Sequence, residues 1–485
     1  MNRKHFRRIF SAVLTLIMVF TLMAPFANAA SASYLYYSDV ESTSPYYTAV
    51  NYLYEHGIMN GTGNGKFSPK GNLTRGQLVT VLWRMLDKPA VTTTATFKDC
   101  GQTNQYYSAV QWAQSVGIAS GYTDGTFRPN QNLTNQELYV FMLRFVRYCG
   151  YETWSDTDLT AAFRVRISSN KRDTYQAYAR AAAGWVNKEG LLNNTNLAGN
   201  ALCTRGDVAL LVYNIYKVYQ KKYGLTVVNT YNLNAASKAG QGMAKMFQAA
   251  GAETISRQDI YYSKNSNSFI SSMKAAFSKA KALDICYLYC CSHGIEKGLY
   301  LFRDADEDVS ILSPNELRTE IDKYQGMFVV FIEGCQSGTY IKKGTNDAFD
   351  PQDFVTGLTA TGLSKRSASN LVDESGRIKV FCSSTQAELS WYNKPQLKGY
   401  ASDAWLIGCG MVGYPEAYYF LGKELAADVD DNRKISMAEL FDFAYDMVIA
   451  RTFNKDGQLC KQHMVCYPEN DDTIIFEIRD CEFIG

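Results

Sequence analysis

Two short stretches carry side chains that could do covalent chemistry. Residues 328–338 (FVVFIEGCQSG) are an apolar run that stops at small residues and delivers Cys335. Residues 284–294 (DICYLYCCSHG) are a second such run, ending at His293 and Gly294. Continuous β-branched and aromatic runs of this length read as buried parallel strands. Open α/β sheets place their chemistry beyond the carboxyl ends of such strands. A thiol and an imidazole at one rim can make a thiolate nucleophile and its general base. Without a leader, three histidines remain, His56, His293 and His463, and His56 belongs to a repeat described below. Of the other two, only His293 stands at a strand end. The backbone N–H groups of Cys335 and Gly294 are the natural donors to an oxyanion. On the pattern alone, the competing reading is two ordinary strand-end residues with no functional link.

The elements that must position this pair follow from residue 225 onward. Leu225–Val228 reads as a strand and 235–250 as a helix. A helix over 269–282 leads into the strand ending at His293. Ser313-Pro-Asn-Glu316 is a capping box with proline at the first helical position, opening the helix before the Cys335 strand. Lys379–Ser383 gives a later strand. Alternating strands and helices predict a mostly parallel sheet covered on both faces.

With these residues in view, Ser-His293-Gly, followed about forty residues later by Phe-Ile-Glu-Gly-Cys335-Gln-Ser-Gly, resembles the caspase-like cysteine peptidases, the legumain type above all. Ile311–Leu317 and Phe381–Trp391 (FCSSTQAELSW) fit the same resemblance, the second as a strand and loop walling the substrate pocket. The resemblance covers residues 225–485. It implies an α/β fold, a His293–Cys335 dyad with no obligatory third member, and a peptide or protein substrate with no cofactor required. Legumain-type enzymes carry an acid directly after the cysteine, where this chain has Gln336. The residue cut after is therefore open, with Gln336, Glu388 and Trp391 as pocket candidates. Two other readings stay open: a catalytically silent caspase-like scaffold or surface-layer binding protein, and an acyl-enzyme transpeptidase or ligase of the same fold.

The N-terminal half is a threefold repeat. Residues 46–61 (YYTAVNYLYEHGIMNG) are echoed by 106–121 (YYSAVQWAQSVGIASG), and a more divergent copy runs from Tyr178 to Gly190. Each copy is an amphipathic helix closed by a glycine, a polar turn, and a second helix N-capped by Thr74, Thr134 or Thr204. The openings Ser38-Asp39-Val40 and Phe97-Lys98-Asp99 and the tetrapeptides Thr74-Arg75-Gly76-Gln77 and Thr204-Arg205-Gly206-Asp207 resemble S-layer homology modules. The expected division is an all-α-rich trimer of modules at 30–92, 93–152 and 153–220, then the α/β domain. The resemblance implies binding to secondary cell-wall polysaccharide at a Gram-positive-type cell surface, with Asp39, Arg75, Asp99 and Arg205 as candidate contacts. Arginines at helix N-termini, beside free backbone N–H groups, suit a carboxylate-bearing sugar. The second copy has Asn135 instead, which predicts a weaker groove.

The N-terminus places Arg3, Lys4, Arg7 and Arg8 before an apolar run and Ala27-Asn28-Ala29, the pattern of a secretory signal peptide over residues 1–29. No later stretch predicts a membrane span. With 49 basic and 47 acidic residues in 485, the charge is too balanced to favour nucleic acid as partner. Of twelve cysteines, Cys286, Cys290, Cys291 and Cys382 sit in apolar strands and read as small hydrophobes; if a disulfide forms, Cys460, Cys466 and Cys481 are the foremost candidates. Finally, residues 428–439 (DVDDNRKISMAE) set Asp428, Asp430, Asn432, Lys434, Ser436 and Glu439 at calcium-loop positions, with Arg433 where such a loop wants glycine. Calcium is the candidate ion. Asp304, Asp306, Glu307 and Asp308 read as a solvated acidic loop.

Overall fold

The structure is a computed structural model. It describes residues 36–91, 97–192, 197–229, 233–258, 268–295, 297–303, 309–340, 377–384, 388–393, 398–413, 418–420, 425–430, 432–449, 453–455, 458–460, 462–468 and 470–477. The leader, the acidic loop at 304–308 and Cys481 lie outside these residues.

The repeat folds as three helix pairs: α1 (Tyr47–Glu55) with α2 (Arg75–Met85), α3 (Tyr107–Ser115) with α4 (Asn135–Tyr148), and α6 (Arg180–Lys188) with α7 (Arg205–Tyr219). An additional helix, α5 (Asp156–Arg166), precedes the third pair. The predicted caps form: Thr74 and Thr134 close capping boxes, and Thr204 accepts the Asp207 N–H. The first N–H groups of each second helix are not free, contrary to the sequence expectation. Arg75 and Gly76 donate to the carbonyls of Gln131 and Pro129. Asn135 and Gln136 donate to Ala201 and Gly199, and Arg205 and Gly206 to Gly71 and Pro69. Each module thus satisfies the orphan donors of one neighbour, and the three close into a ring.

The chain passes from α7 to the first strand through two residues only. Strand β1 begins at Lys222 rather than Leu225 and is buried throughout. With β2 (Glu253–Gln258), β3 (Ile285–Cys291), β4 (Met327–Glu333), β5 (Ile378–Cys382) and β6 (Val465–Tyr467) it forms one sheet, in the order β6-β5-β4-β3-β1-β2. All pairings are parallel except that of β6 with β5. Period-two alternation sends Tyr287, Tyr289 and Phe331 to one face, where α8 (Asn234–Ala249), α11 (Tyr400–Gly408) and α12 (Met437–Ile449) cover them. Cys286, Leu288, Cys290 and Val330 go to the other face, under α9 (Ser268–Phe277) and α10 (Pro314–Ile321). The capping box at Ser313 and Glu316 opens α10 as expected. Cys466 is buried in β6, its S–H directed at the Pro468 carbonyl 3.8 Å away.

The described residues from Tyr37 onward belong to one compact unit. The repeat docks against the amino ends of the sheet strands through polar contacts. The Tyr151 hydroxyl donates to Asp284, just ahead of β3, at 2.7 Å. Lys379 of β5, almost fully buried, sits 3.4 Å from Asp87, and Lys434 pairs with Glu55. The stretch at 217–224, which reads from sequence as a domain boundary, runs directly from helix into sheet, exposed at Lys217, Val218 and Lys221 and buried from Lys222 onward.

Candidate active site

Strands β3 and β4 run side by side in register, Cys291 opposite Glu333, so both stretches end at one rim. Beyond the strands the Ser292 N–H donates to the Glu333 carbonyl. Gly294 lies so close to the cysteine that a Cβ there would sit 1.8 Å from the Cys335 carbonyl oxygen. Only glycine fits between these two strand ends. His293 and Cys335 line the same small cavity, together with Leu233, Ala236, Glu333 and Trp391 among others. The cavity straddles the point where the chain, having placed β2 outside β1, returns to lay β3 on β1's other side, the crevice that open sheets use for ligands.

Cys335 is the half-exposed thiol of the group, its S–H directed at the Ser390 carbonyl 3.9 Å away. Burial pushes the Cys290 thiol up to about 12, which makes it a packing group rather than a nucleophile. Gln336, next in the chain, adopts the left-handed conformation at φ 55° and donates its N–H to the Glu388 carbonyl. The loop carrying Glu388 and Trp391 is fastened from β6's approach. Gln462 donates to the Ser383 carbonyl at 2.6 Å and accepts the Trp391 N–H at 2.8 Å. His463 gives Glu388 its N–H at 2.9 Å and pairs through Nδ1 at 2.6 Å.

Of the three pocket candidates, Trp391 lines the cavity, while Gln336 and Glu388 do not. Glu388 supports the loop instead, with both carboxylate oxygens engaged by His463. Glu333 belongs to the Glu-Gly-Cys335-Gln-Ser-Gly pattern quoted for the resemblance, but carries no role in the sequence reading. It lies at the end of β4, 4% exposed, accepting the Tyr289 hydroxyl at 2.5 Å and the Ser402 N–H at 3.2 Å. Burial raises its pKa. A carboxylate inside an otherwise apolar strand is the signal that could have found it.

In the repeat, the Asp39 oxygens accept the N–H groups of Phe67 and Ser68, and those of Asp99 accept Phe127 and Arg128. Both acids brace the turn ahead of the second helix. Arg75 and Arg205 are buried rather than splayed into solvent. Arg75 donates to the carbonyls of Phe127 and Ser120 and meets Glu137 at 3.4 Å. Arg205 donates to the carbonyls of Phe67 and Asn60 and lies over the Phe67 ring. Asn135 donates to the Ala198 carbonyl.

In the loop at 428–439, Asp428, Asp430 and Glu439 bring carboxylate oxygens within 4.8 Å of one another. Arg433 takes φ 64°, the left-handed turn that glycine normally supplies there. The Lys434 ammonium is committed to Glu55, leaving only its carbonyl as a ligand. Asn432 hydrogen-bonds Asp430, and Ser436 and Glu439 cap each other's backbone.

The family description "S-layer homology domain" matches residues 36–79 and 96–138, so the chain carries S-layer homology modules in its N-terminal half. The third copy lies outside that match but takes the same place in the ring. A cell surface protein of Thermoanaerobacter kivui is 28% identical over 225 residues, 45% of this chain and 26% of the relative. An endoglucanase of Bacillus sp. (strain KSM-635) is 31% identical over 152 residues, 30% of this chain and 16% of the relative. The chain thus spans about a quarter or less of the length of these relatives. Among solved structures, caspase-1 from Spodoptera frugiperda is similar over 51% of this chain and 85% of its own, at 14% identity and a TM-score of 0.32.

Proposed function

We propose that this protein is a cysteine endopeptidase held on the cell wall by its S-layer homology modules. What supports the reading most is that His293 and Cys335, from separate strands, line one cavity at the carboxyl rim of the sheet. The cell-surface name of the relative from Thermoanaerobacter kivui supports the location. In the reaction, His293 takes the Cys335 proton and the thiolate sulfur attacks the peptide carbonyl carbon. The N–H groups of Cys335 and Gly294 receive the oxyanion. The C–N bond then breaks, His293 protonates the departing amine, and water hydrolyses the thioester, returning the thiol and releasing an acid. An amine in place of that water would give ligation by the same acyl-enzyme.

The modules bind secondary cell-wall polysaccharide on the surface that Arg75 and Arg205 shape from behind, through their bonds to the Phe127 and Phe67 carbonyls, while Asp39 and Asp99 hold the same turns. Purified walls should sediment the full chain together with Cys335-dependent peptide hydrolysis, and Arg75→Ala with Arg205→Ala should leave both in the supernatant. Co-sedimentation undiminished by the double substitution removes the arginines from the reading.

The loop at 428–439 takes calcium, whose charge would relieve the crowding of Asp428 and Asp430. Burial and that neighbour push the Asp428 carboxyl up to about 6. Millimolar calcium should raise the melting temperature by several degrees, since a ligand at about 100 times its Kd stabilises by about 2.7 kcal/mol. Asp428→Ala should abolish the shift, and an unshifted wild type counts against the ion.

A further inference from the structure

Resting on the peptidase reading, we propose that the cavity beside Cys335 selects a basic side chain, lysine or arginine, in the residue preceding the scissile bond, with Glu333 as its charge partner. Two acids stand near the cysteine, and their surroundings differ. Glu388 is matched by His463 and lies outside the cavity. Glu333 lines the cavity, and among the described residues no cation lies within ion-pair distance of it.

Both Glu333 oxygens accept hydrogen bonds, Oε2 from Tyr289 and Oε1 from the Ser402 N–H. Such acceptor geometry suits the ionised carboxylate. Burial opposes ionisation, and the nearby Asp403 adds to that opposition. The site therefore holds a carboxylate whose hydrogen-bond frame is set for charge but for which the described residues supply no compensating cation. A buried charge of this kind is costly until paired. An ammonium or guanidinium entering from the substrate supplies the pair through a charge-assisted hydrogen bond.

The walls agree with that occupant. Leu233, Ala236, Ala239 and Trp391 give apolar contact for the methylenes of a long basic side chain. At Gly399 a Cβ would fall 2.1 Å from Glu333 Oε1, so the carboxylate is closed on that side. An aspartate in the same position would meet like charge, and an asparagine would leave Glu333 uncompensated.

The test is the cleavage profile of the full chain on peptide-coumarin substrates that differ only in the residue before the scissile bond: Lys, Arg, Asn, Asp and Gln. Lysine or arginine should exceed asparagine and aspartate by about a hundredfold or more in kcat/KM, the scale on which unpaired buried polar groups discriminate. Glu333→Gln should lose this preference mainly through KM, while Cys335 remains labelled by a small alkylating reagent. If that variant is not secreted, the wild-type profile alone decides. Cys335-dependent cleavage after asparagine or aspartate, with the basic substrates uncut, overturns the proposal and leaves the peptidase reading standing. Absence of Cys335-dependent cleavage from every substrate overturns both.

Discussion

Ser390 to Trp391 is the short wall against which Cys335 rests, and its position depends on residues far away in the chain. Gln462 and His463 reach it only because β6 runs antiparallel to β5. Nothing local in the sequence marks them, which is why His463 reads there as a lone histidine. Glu388 stands in the neighbourhood its sequence context suggests but does something else, since its carboxylate holds His463 rather than facing substrate. Cys335 and His293 were legible as candidates because each ends an apolar run, a local signal. The shell that steadies them is made by tertiary pairing, and a sequence read locally does not show it. His463→Ala should lower kcat/KM for peptide cleavage about tenfold, since a hydrogen bond to a charged group contributes about 1.5–3 kcal/mol. The melting temperature should stay nearly unchanged, as the pair is partly exposed. A variant with wild-type kinetics would show that the clamp does not position the wall.

The helix pairs were readable to within a residue or two because threonine caps and terminating glycines punctuate them. Their use of the first N–H groups was not readable, because each set is satisfied by a turn in another module. The same holds for the contact of α1 with the C-terminal domain. His56, next after α1, stacks on Tyr52 at 3.9 Å and meets the Tyr52 carbonyl through Nδ1. Around it stand Glu477, Lys434 and Lys222. Burial holds its folded pKa at about 4, below the ordinary 6.5. The unfolded chain then binds the extra proton between those values, so stability must fall as pH drops from 6.5 toward 4. Glu477, held below the ordinary carboxylate range by Lys222 and Lys434 despite its burial, works in the same direction: its contribution is present above its unfolded pKa and lost as pH falls through the folded one. Melting temperature measured across pH 7 to 4 should decline, and His56→Gln should make the decline shallower. An equal decline in the variant would place the acid sensitivity elsewhere.

At the scale of the whole molecule, the anchor and the site-bearing domain are not beads on a string. The ring of helices proposed to hold wall polymer also grips the sheet, through Tyr151 and Asp87, at the ends opposite the cavity, and reaches the segment before α12 through Glu55. That arrangement fixes the rim of β3 and β4 relative to the ring. Fold class was predictable from periodicity, with strands alternating with helices after a helical repeat. The docking was not, since Lys379 reads as an ordinary strand position and Lys222 falls ahead of the expected strand, and both are in fact buried cations with acidic partners. Everything proposed for the site depends on Cys335 acting as a nucleophile activated by His293. The direct measurement is covalent capture of the full chain by a peptidyl acyloxymethyl ketone, with the modified residue located by mass spectrometry. One adduct is predicted, on Cys335, lost in Cys335→Ala and slowed by about a hundredfold or more in His293→Ala. Equal labelling of the His293 variant, or no adduct on Cys335 with any peptidyl group, would contradict it.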